Sequence, residues 1–378
     1  RPPPLCFARG VPRRYGRLPR APPPAAPAPP PPPNPPPPPP PGGAPRPRVV
    51  ALVIGLALLV VTVILSLAFG SRPVTVTEVV DGVTTWLRGQ TPTDIGALAV
   101  QSRIPRTALA MLAGAALAIS GALMQAITRN PLADPGILGV NTGAALAVVI
   151  GIAFFGLADT WGYLSLALIG AGLTAVFVYF VGSVGAGGTT PIKLALAGAA
   201  TTAALTSLVS AILLPRQNVL DEFRYWQVGN VGRAEWETMA VVAPVLVFGA
   251  IVAIFSASAL NALAMGDDVA TGLGVHVGRI RIVAAIAGVA LCAAVTAVAG
   301  PIGFVGLMVP HVVRLVSGPD QRWLLPLSAI GGAILLVAAD TIGRVIGSPG
   351  EVEAGIITAF VGAPVLIVIA RRTRMRAL

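Results

Sequence analysis

Residues 106–129 read Arg106-TALAMLAGAALAISGALMQAIT-Arg129, twenty-two uncharged residues held between two arginines. At 1.5 Å of rise per residue, a helix of that length spans about 33 Å, enough to cross about 30 Å of hydrocarbon. Lipid accepts a helix because it satisfies its backbone polar groups internally. The segment Gly114-Ala-Ala-Leu-Ala-Ile-Ser-Gly121 adds a run of small residues. Such residues let helix backbones approach closely where the hydrophobic effect does not drive association. This stretch therefore predicts a transmembrane helix packed among others.

Charges punctuate the rest of the chain in the same way. Uncharged runs occupy 49–70, 135–158, 160–192, 194–215, 238–260, 282–313, 323–339 and 354–370. The run 160–192 is shortened by Gly-Gly-Thr-Thr-Pro at 187–191, and Gly300-Pro301 divides 282–313 into a full span and a shorter one. With 107–128 the count is ten spans. The run 49–70 has too long an apolar core for a signal peptide and reads as the first span.

Composition excludes a soluble domain. The chain is 55% hydrophobic and only 11% charged, with mean hydropathy +0.82, whereas soluble folds carry roughly a quarter of their residues as charges. The net charge of +11 sits largely at the ends: eight arginines precede residue 49, and Arg371, Arg372, Arg374 and Arg376 close the chain. No nucleic-acid motif accompanies them. Residues 1–48 form a Pro/Arg-rich tail, polyproline II or disordered, and 373–378 a basic tail. Ten spans place both termini on one side, and arginine-rich ends assign that side to the cytoplasm of a multi-pass plasma-membrane protein. Arg129, Lys193, Arg279, Arg281, Arg314 and Arg322 then fall inside. Arg103, Arg106, Arg216, Arg224, Arg233 and Arg344 fall outside, against the trend. Cys6 and Cys292 give no disulfide framework, and His276 and His311 are too few and too distant for a metal centre.

Five segments, in order, carry a resemblance: Arg103-Ile-Pro-Arg106; Gly121-Ala-Leu-Met-Gln125 running on to Arg129-Asn-Pro-Leu-Ala-Asp-Pro-Gly-Ile-Leu-Gly139; 263–274 with Gly266-Asp267-Asp268; Gly300 to Arg314; and Ala339-Asp-Thr-Ile-Gly-Arg344 with Gly362-Ala-Pro364. Together, over about 49–372, they resemble the FecCD-type permeases that import ferric siderophores, haem and cobalamin. Glu353 departs from that pattern, where proline is usual. The resemblance implies an all-α polytopic membrane protein of about ten transmembrane helices, with the type II ABC importer permease fold. It implies a permease subunit, not an enzyme, that moves an iron–siderophore or related chelate inward. The implied partners are a second permease subunit (homo- or heterodimer), two cytoplasmic ATPase subunits and an extracytoplasmic solute-binding protein. No phosphate-cradling Gly-x-x-x-x-Gly-Lys sequence is present, so ATP is hydrolysed elsewhere. No cofactor and no metal is expected.

The resemblance also assigns roles. Arg103, Arg106 and Arg344 would receive acidic residues of the binding protein through their planar forks; snorkelling towards headgroups is the other reading. In the 261–281 loop, Gly266, Asp267 and Asp268 open a short helix with carboxylates at its positive end, and Gly272, Leu273 and Gly274 end it. That helix would couple to the ATPase. Thr189 and Thr190 would form a cytoplasmic gate, or else an ordinary loop. Asp340 is expected to pair with Arg344 one turn along, and His311 to be a hydrogen-bonded structural residue. An ion-coupled secondary transporter is the alternative, but it would want ionisable residues at mid-span.

Overall fold

The computed structural model describes residues 45–131, 133–157, 159–184 and 191–374. Their regular structure is helical throughout: α1 (Pro45–Ala68), α2 (Val76–Leu87), α3 (Ile95–Thr128), α4 (Val140–Phe155), α5 (Thr160–Ser183), α6 (Pro191–Leu213), α7 (Gln217–Gln227), α8 (Trp236–Ala264), α9 (Asp267–Gly272), α10 (Val277–Ala299), α11 (Val305–Ser317), α12 (Gln321–Ile346) and α13 (Ala354–Arg374).

Each of the ten apolar runs falls on one helix: α1, α3, α4, α5, α6, α8, α10, α11, α12 or α13. Seven of these are long and apolar enough to cross a membrane, while α4, α11 and the apolar part of α13 are shorter. The shortening has local causes. A 3-10 turn at Pro135–Leu138, capped by Asp134 Oδ1 accepting from Gly136 N at 2.8 Å, uses up the start of the run before α4. The irregular segment 300–304, with Gly300 at φ 69° and Phe304 left-handed, separates α10 from α11.

Three boundaries differ from expectation. Residues 1–44 of the proposed tail lie outside the described residues, but Pro45–Arg48 already belong to α1. Pro45 and Pro47 sit in the first turn, where the amide protons have no intrahelical partner to lose. At the other end α13 runs on to Arg374, so 373–374 are helical. The helix holding the opening stretch starts at Ile95, before the uncharged run, so Arg103 and Arg106 at the entry to the span already lie within α3.

Two short helices escape a hydropathy reading because they do not cross. One is α7, and the other is α2, which is amphipathic. Thr75 and Glu78 form a capping box at the start of α2: Thr75 Oγ1 accepts from Glu78 N, and Glu78 Oε2 accepts from Thr75 N. Trp86 at its far end stacks on Trp236, with ring centroids 5.9 Å apart.

The most buried span is α3, packed by α1, α2, α8, α10, α11 and α12. Its partner over the longest interface is α12. They touch backbone to backbone where Gly114 meets Gly332: a Cβ on either would lie 2.1 Å from the other's carbonyl oxygen. Contacts define two ends of the bundle. One gathers Arg48, Arg129, Asn261, α9 and Asp320, with Arg48 Nε donating to Ser317 O at 3.1 Å and Asn261 Nδ2 to Asp320 at 2.7 Å. The other gathers the close of α1, the start of α3, residues 228–236 and the α12–α13 connection.

Candidate functional site

At the second end the three arginines expected on the surface are buried, Arg344 to 2% exposure. Their first task is internal. Helix α1 ends without a basic residue in its last turn, leaving orphan carbonyls at the negative pole of its dipole. Arg103 Nη1 donates to Leu67 O at 2.8 Å and Ala68 O at 3.2 Å, and its Nη2 donates to Arg72 O at 2.6 Å. Arg344 donates to Ser66 O at 3.1 Å, Phe69 O at 3.3 Å and Ser66 Oγ at 2.7 Å. The two guanidiniums thus cap α1 from outside its own sequence. Neither snorkels.

Asp340 ties the remaining charges together. Arg106 grips it with Nε at 2.9 Å and Nη2 at 2.7 Å, and Arg344 Nε lies 3.1 Å from its other oxygen, the expected pairing one turn along. The third guanidinium nitrogen of Arg106, Nη1, donates to Glu351 Oε2 at 2.6 Å. Glu351 is 36% exposed and is the solvent-facing member of the cluster. Neither its role nor that of Ser66 was visible in the sequence, because their partners are hundreds of residues away.

Glu353, the departure from the family pattern, lies just beyond. Burial pushes its carboxyl above the ordinary 4.5, with Arg106 pulling partly the other way. A raised folded-state value means the folded chain holds that proton more tightly. Its stabilisation is complete below about pH 4.5 and declines as pH rises through the raised value. Glu353→Gln should therefore flatten this part of the pH dependence and raise the neutral-pH thermal midpoint in detergent. Parallel midpoint-against-pH curves for the two proteins would contradict the assignment.

The first end carries α9. Gly266 at φ 119° turns the chain into it, Asp267 and Asp268 fill its first turn, and Gly274 at φ 81° follows its cap residue Leu273. Asp267 pairs with Arg129 at the close of α3 and, at 2.9 Å, with Arg281, the fifth residue of α10. Ala270 is buried against the core. Met265, Val269 and Leu273 point out, Leu273 at 63% exposure. The short helix thus presents an apolar knob on a polar end and is clamped from two sides. The other expected residues at this end, Thr189 and Thr190, lie outside the described residues.

Between the ends, the broken segment 300–304 borders a cavity of about 110 Å³ lined by Asn141, Thr206, Phe223, Gln227 and Pro301 among others. Asn141 Oδ1 accepts from Thr296 Oγ1 at 3.1 Å and from Cys292 Sγ at 3.3 Å, joining α4 to α10. His311 departs from expectation. Its Nδ1 is buried with no hydrogen-bond partner among the described residues, and it is the neighbouring Arg314 that is held, by Gln125 Oε1 at 3.0 Å. Among the described residues no three metal-ligating side chains cluster.

Comparison with known proteins agrees with this architecture. The chain is 43% identical over 318 residues to the ferric enterobactin transport system permease protein FepD of Escherichia coli, covering 84% of this chain and 93% of that one. It is 37% identical to the hemin transport system permease protein HmuU of Yersinia pestis (72% and 82% covered) and 41% identical to the cobalamin import system permease protein BtuC of Halobacterium salinarum (73% and 74% covered). A solved metal-chelate type ABC transporter in an inward-facing conformation superposes with TM-score 0.72 at 26% identity, over 86% of this chain and 99% of that one. The model of the FecCD transport family matches residues 58–372, and the chain, a multi-pass membrane permease, belongs to that family.

Proposed function

We propose that this permease carries an iron–siderophore or related metal chelate inward across the plasma membrane, with a solute-binding protein delivering the chelate outside and ATP hydrolysed on separate cytoplasmic subunits. The observation that carries the reading is the FecCD match over 58–372, together with relatives named for ferric enterobactin, hemin and cobalamin. The α9 end faces the cytoplasm, and both termini lie on that side. The permease body is 49–372, and its 261–281 loop, through Gly266, Asp267, Asp268, Gly272, Leu273 and Gly274, engages the ATPase. Thr189 and Thr190 belong to the cytoplasmic gate.

At the outer end, Arg106 supplies the contact for the binding protein's carboxylates. Arg103 and Arg344 contribute their positive field and the fixed end of α1. A second permease subunit, identical or a paralogue, completes the pathway. The alternative of ion-coupled transport is disfavoured by charge placement. Asp340, the acid inside α12, is bound by two arginines and is not poised to relay protons.

The test is co-purification in detergent, followed by ATP turnover in nanodiscs with candidate binding proteins. An ATPase subunit that copurifies, with turnover that responds to a loaded binding protein, is the expected result. A chain that purifies alone and moves chelate under an ion gradient without ATP overturns it. In the same assay Leu273→Asp, a change at an exposed position, should weaken ATPase association by roughly tenfold or more, as loss of an apolar anchor does, while the permease's thermal midpoint stays put. Unchanged association would remove α9 from the ATPase contact.

A further inference from the structure

We propose that Glu351 is an internal stand-in for the partner's carboxylate: it occupies the one accessible edge of Arg106 until an acidic side chain of the docking protein displaces it. The inference rests on the docking reading above. Two of the three guanidinium nitrogens of Arg106 are committed to Asp340, which is 1% exposed and beyond the reach of any outside group. The third, Nη1, points to Glu351. That carboxylate is more than a third exposed, and its only other side-chain partner among the described residues is Ser71 Oγ at a long 3.5 Å. The exchange swaps one carboxylate for another on the same guanidinium edge, so no buried charge is left unpaired on the way.

Local charge favours such a visitor. Arg106 and Arg344 are paired with Asp340 and Glu351, and Arg103 lies close enough to feel Glu351, so swinging Glu351 away leaves Arg106 with an open edge beside two further guanidiniums. Glu353 stands beside them with its proton held more tightly than usual, and Arg233 is close enough to influence it. An uncovered guanidinium edge among other arginines attracts an acidic side chain.

The exchange would also be felt inside the bundle. Glu351 lies three residues before Ala354, where α13 begins. Gly355 N donates to Gly229 O at 3.1 Å, and Gly362 packs so closely on Phe304 that a Cβ would lie 2.4 Å from it. Phe304 is the left-handed residue that closes the break between α10 and α11. Releasing Glu351 therefore loosens the ionic tether of the segment leading into α13, the helix that rests on that break. Docking outside acquires a mechanical route to the middle of the protein.

The experiment uses the complete transporter in nanodiscs and the binding protein that alters its ATP turnover. Affinity is measured at low and high salt for the wild type, Glu351→Gln and Glu351→Asp. The expected result is salt-weakened binding in all three, a Kd about two- to fivefold lower for Glu351→Gln, the span of a partly exposed ion pair, and wild-type affinity for Glu351→Asp. A glutamate that merely braces the loop would give weaker or unchanged binding in Glu351→Gln, and that outcome, with salt dependence intact, overturns the stand-in alone. Salt-insensitive binding by the wild type overturns the docking reading and the stand-in with it.

Discussion

Asp340→Ala is expected to destabilise the folded permease by about 3–5 kcal/mol, the loss seen when one partner of a buried ion pair is removed. The carboxylate is 1% exposed and serves two guanidiniums at once, Arg106 through two nitrogens and Arg344 through Nε. Without it, Arg106 keeps Glu351 as its counter-charge, whereas Arg344 keeps only neutral partners: Ser66, Phe69 and Thr341. An almost fully buried guanidinium with no anion is the costly product. Since Arg344 also caps α1, the close of that helix should fray with it. The measurement is the thermal midpoint and membrane yield of Asp340→Ala beside Asp340→Asn, which keeps the shape and part of the hydrogen bonding. A midpoint within a degree or two of the wild type for both would mean that the charges are not mutually compensating.

The second large effect is steric. Gly114→Val should force α3 and α12 apart, because the new Cβ would lie 2.1 Å from Gly332 O, and that contact is backbone, unable to swing aside. Overpacking of a well-filled core costs about 1–3 kcal/mol and occasionally more. Here the upper end applies, since the crossing joins the most buried span to its principal neighbour. Gly172 in α5 is the control. A Cβ there meets nothing within 4 Å, so Gly172→Ala should be neutral or stabilising by up to about 1 kcal/mol through helix propensity. Detergent thermal midpoints for the two variants decide the matter, and a tolerated valine at 114 would mean the helices are not held at backbone contact.

Much of the fold was legible because the membrane makes each crossing helix close its own hydrogen bonds. A long uncharged run then has one structural solution whatever its neighbours are, and each of the ten runs lies on a helix. The limits of α9 were legible for a related reason: Gly266, Asp267, Gly272 and Gly274 act on backbone within a few residues of themselves. Even α2 left a local mark, the Thr75–Glu78 capping box, that a reading by hydropathy passes over. Family membership was legible because motif order is itself a property of sequence.

What the arginines do was not. Arg103, Arg106 and Arg344 at the end of a bundle look the same in sequence whether they face water, headgroups or another helix. The choice was made by residues far along the chain: the carbonyls closing α1, thirty-five or more positions before Arg103, and the carboxylates Asp340 and Glu351, 234 and 245 positions after Arg106. The same holds for the clamp on α9, where Arg129 reaches Asp267 across 138 positions. The sequence by itself determined which segments form the apolar helices, where α9 starts and stops, and which family the chain belongs to. Only tertiary structure decided which charge each guanidinium meets and which carboxylate faces solvent, because ion pairing depends on distance in space and short-range periodicity carries no information about it.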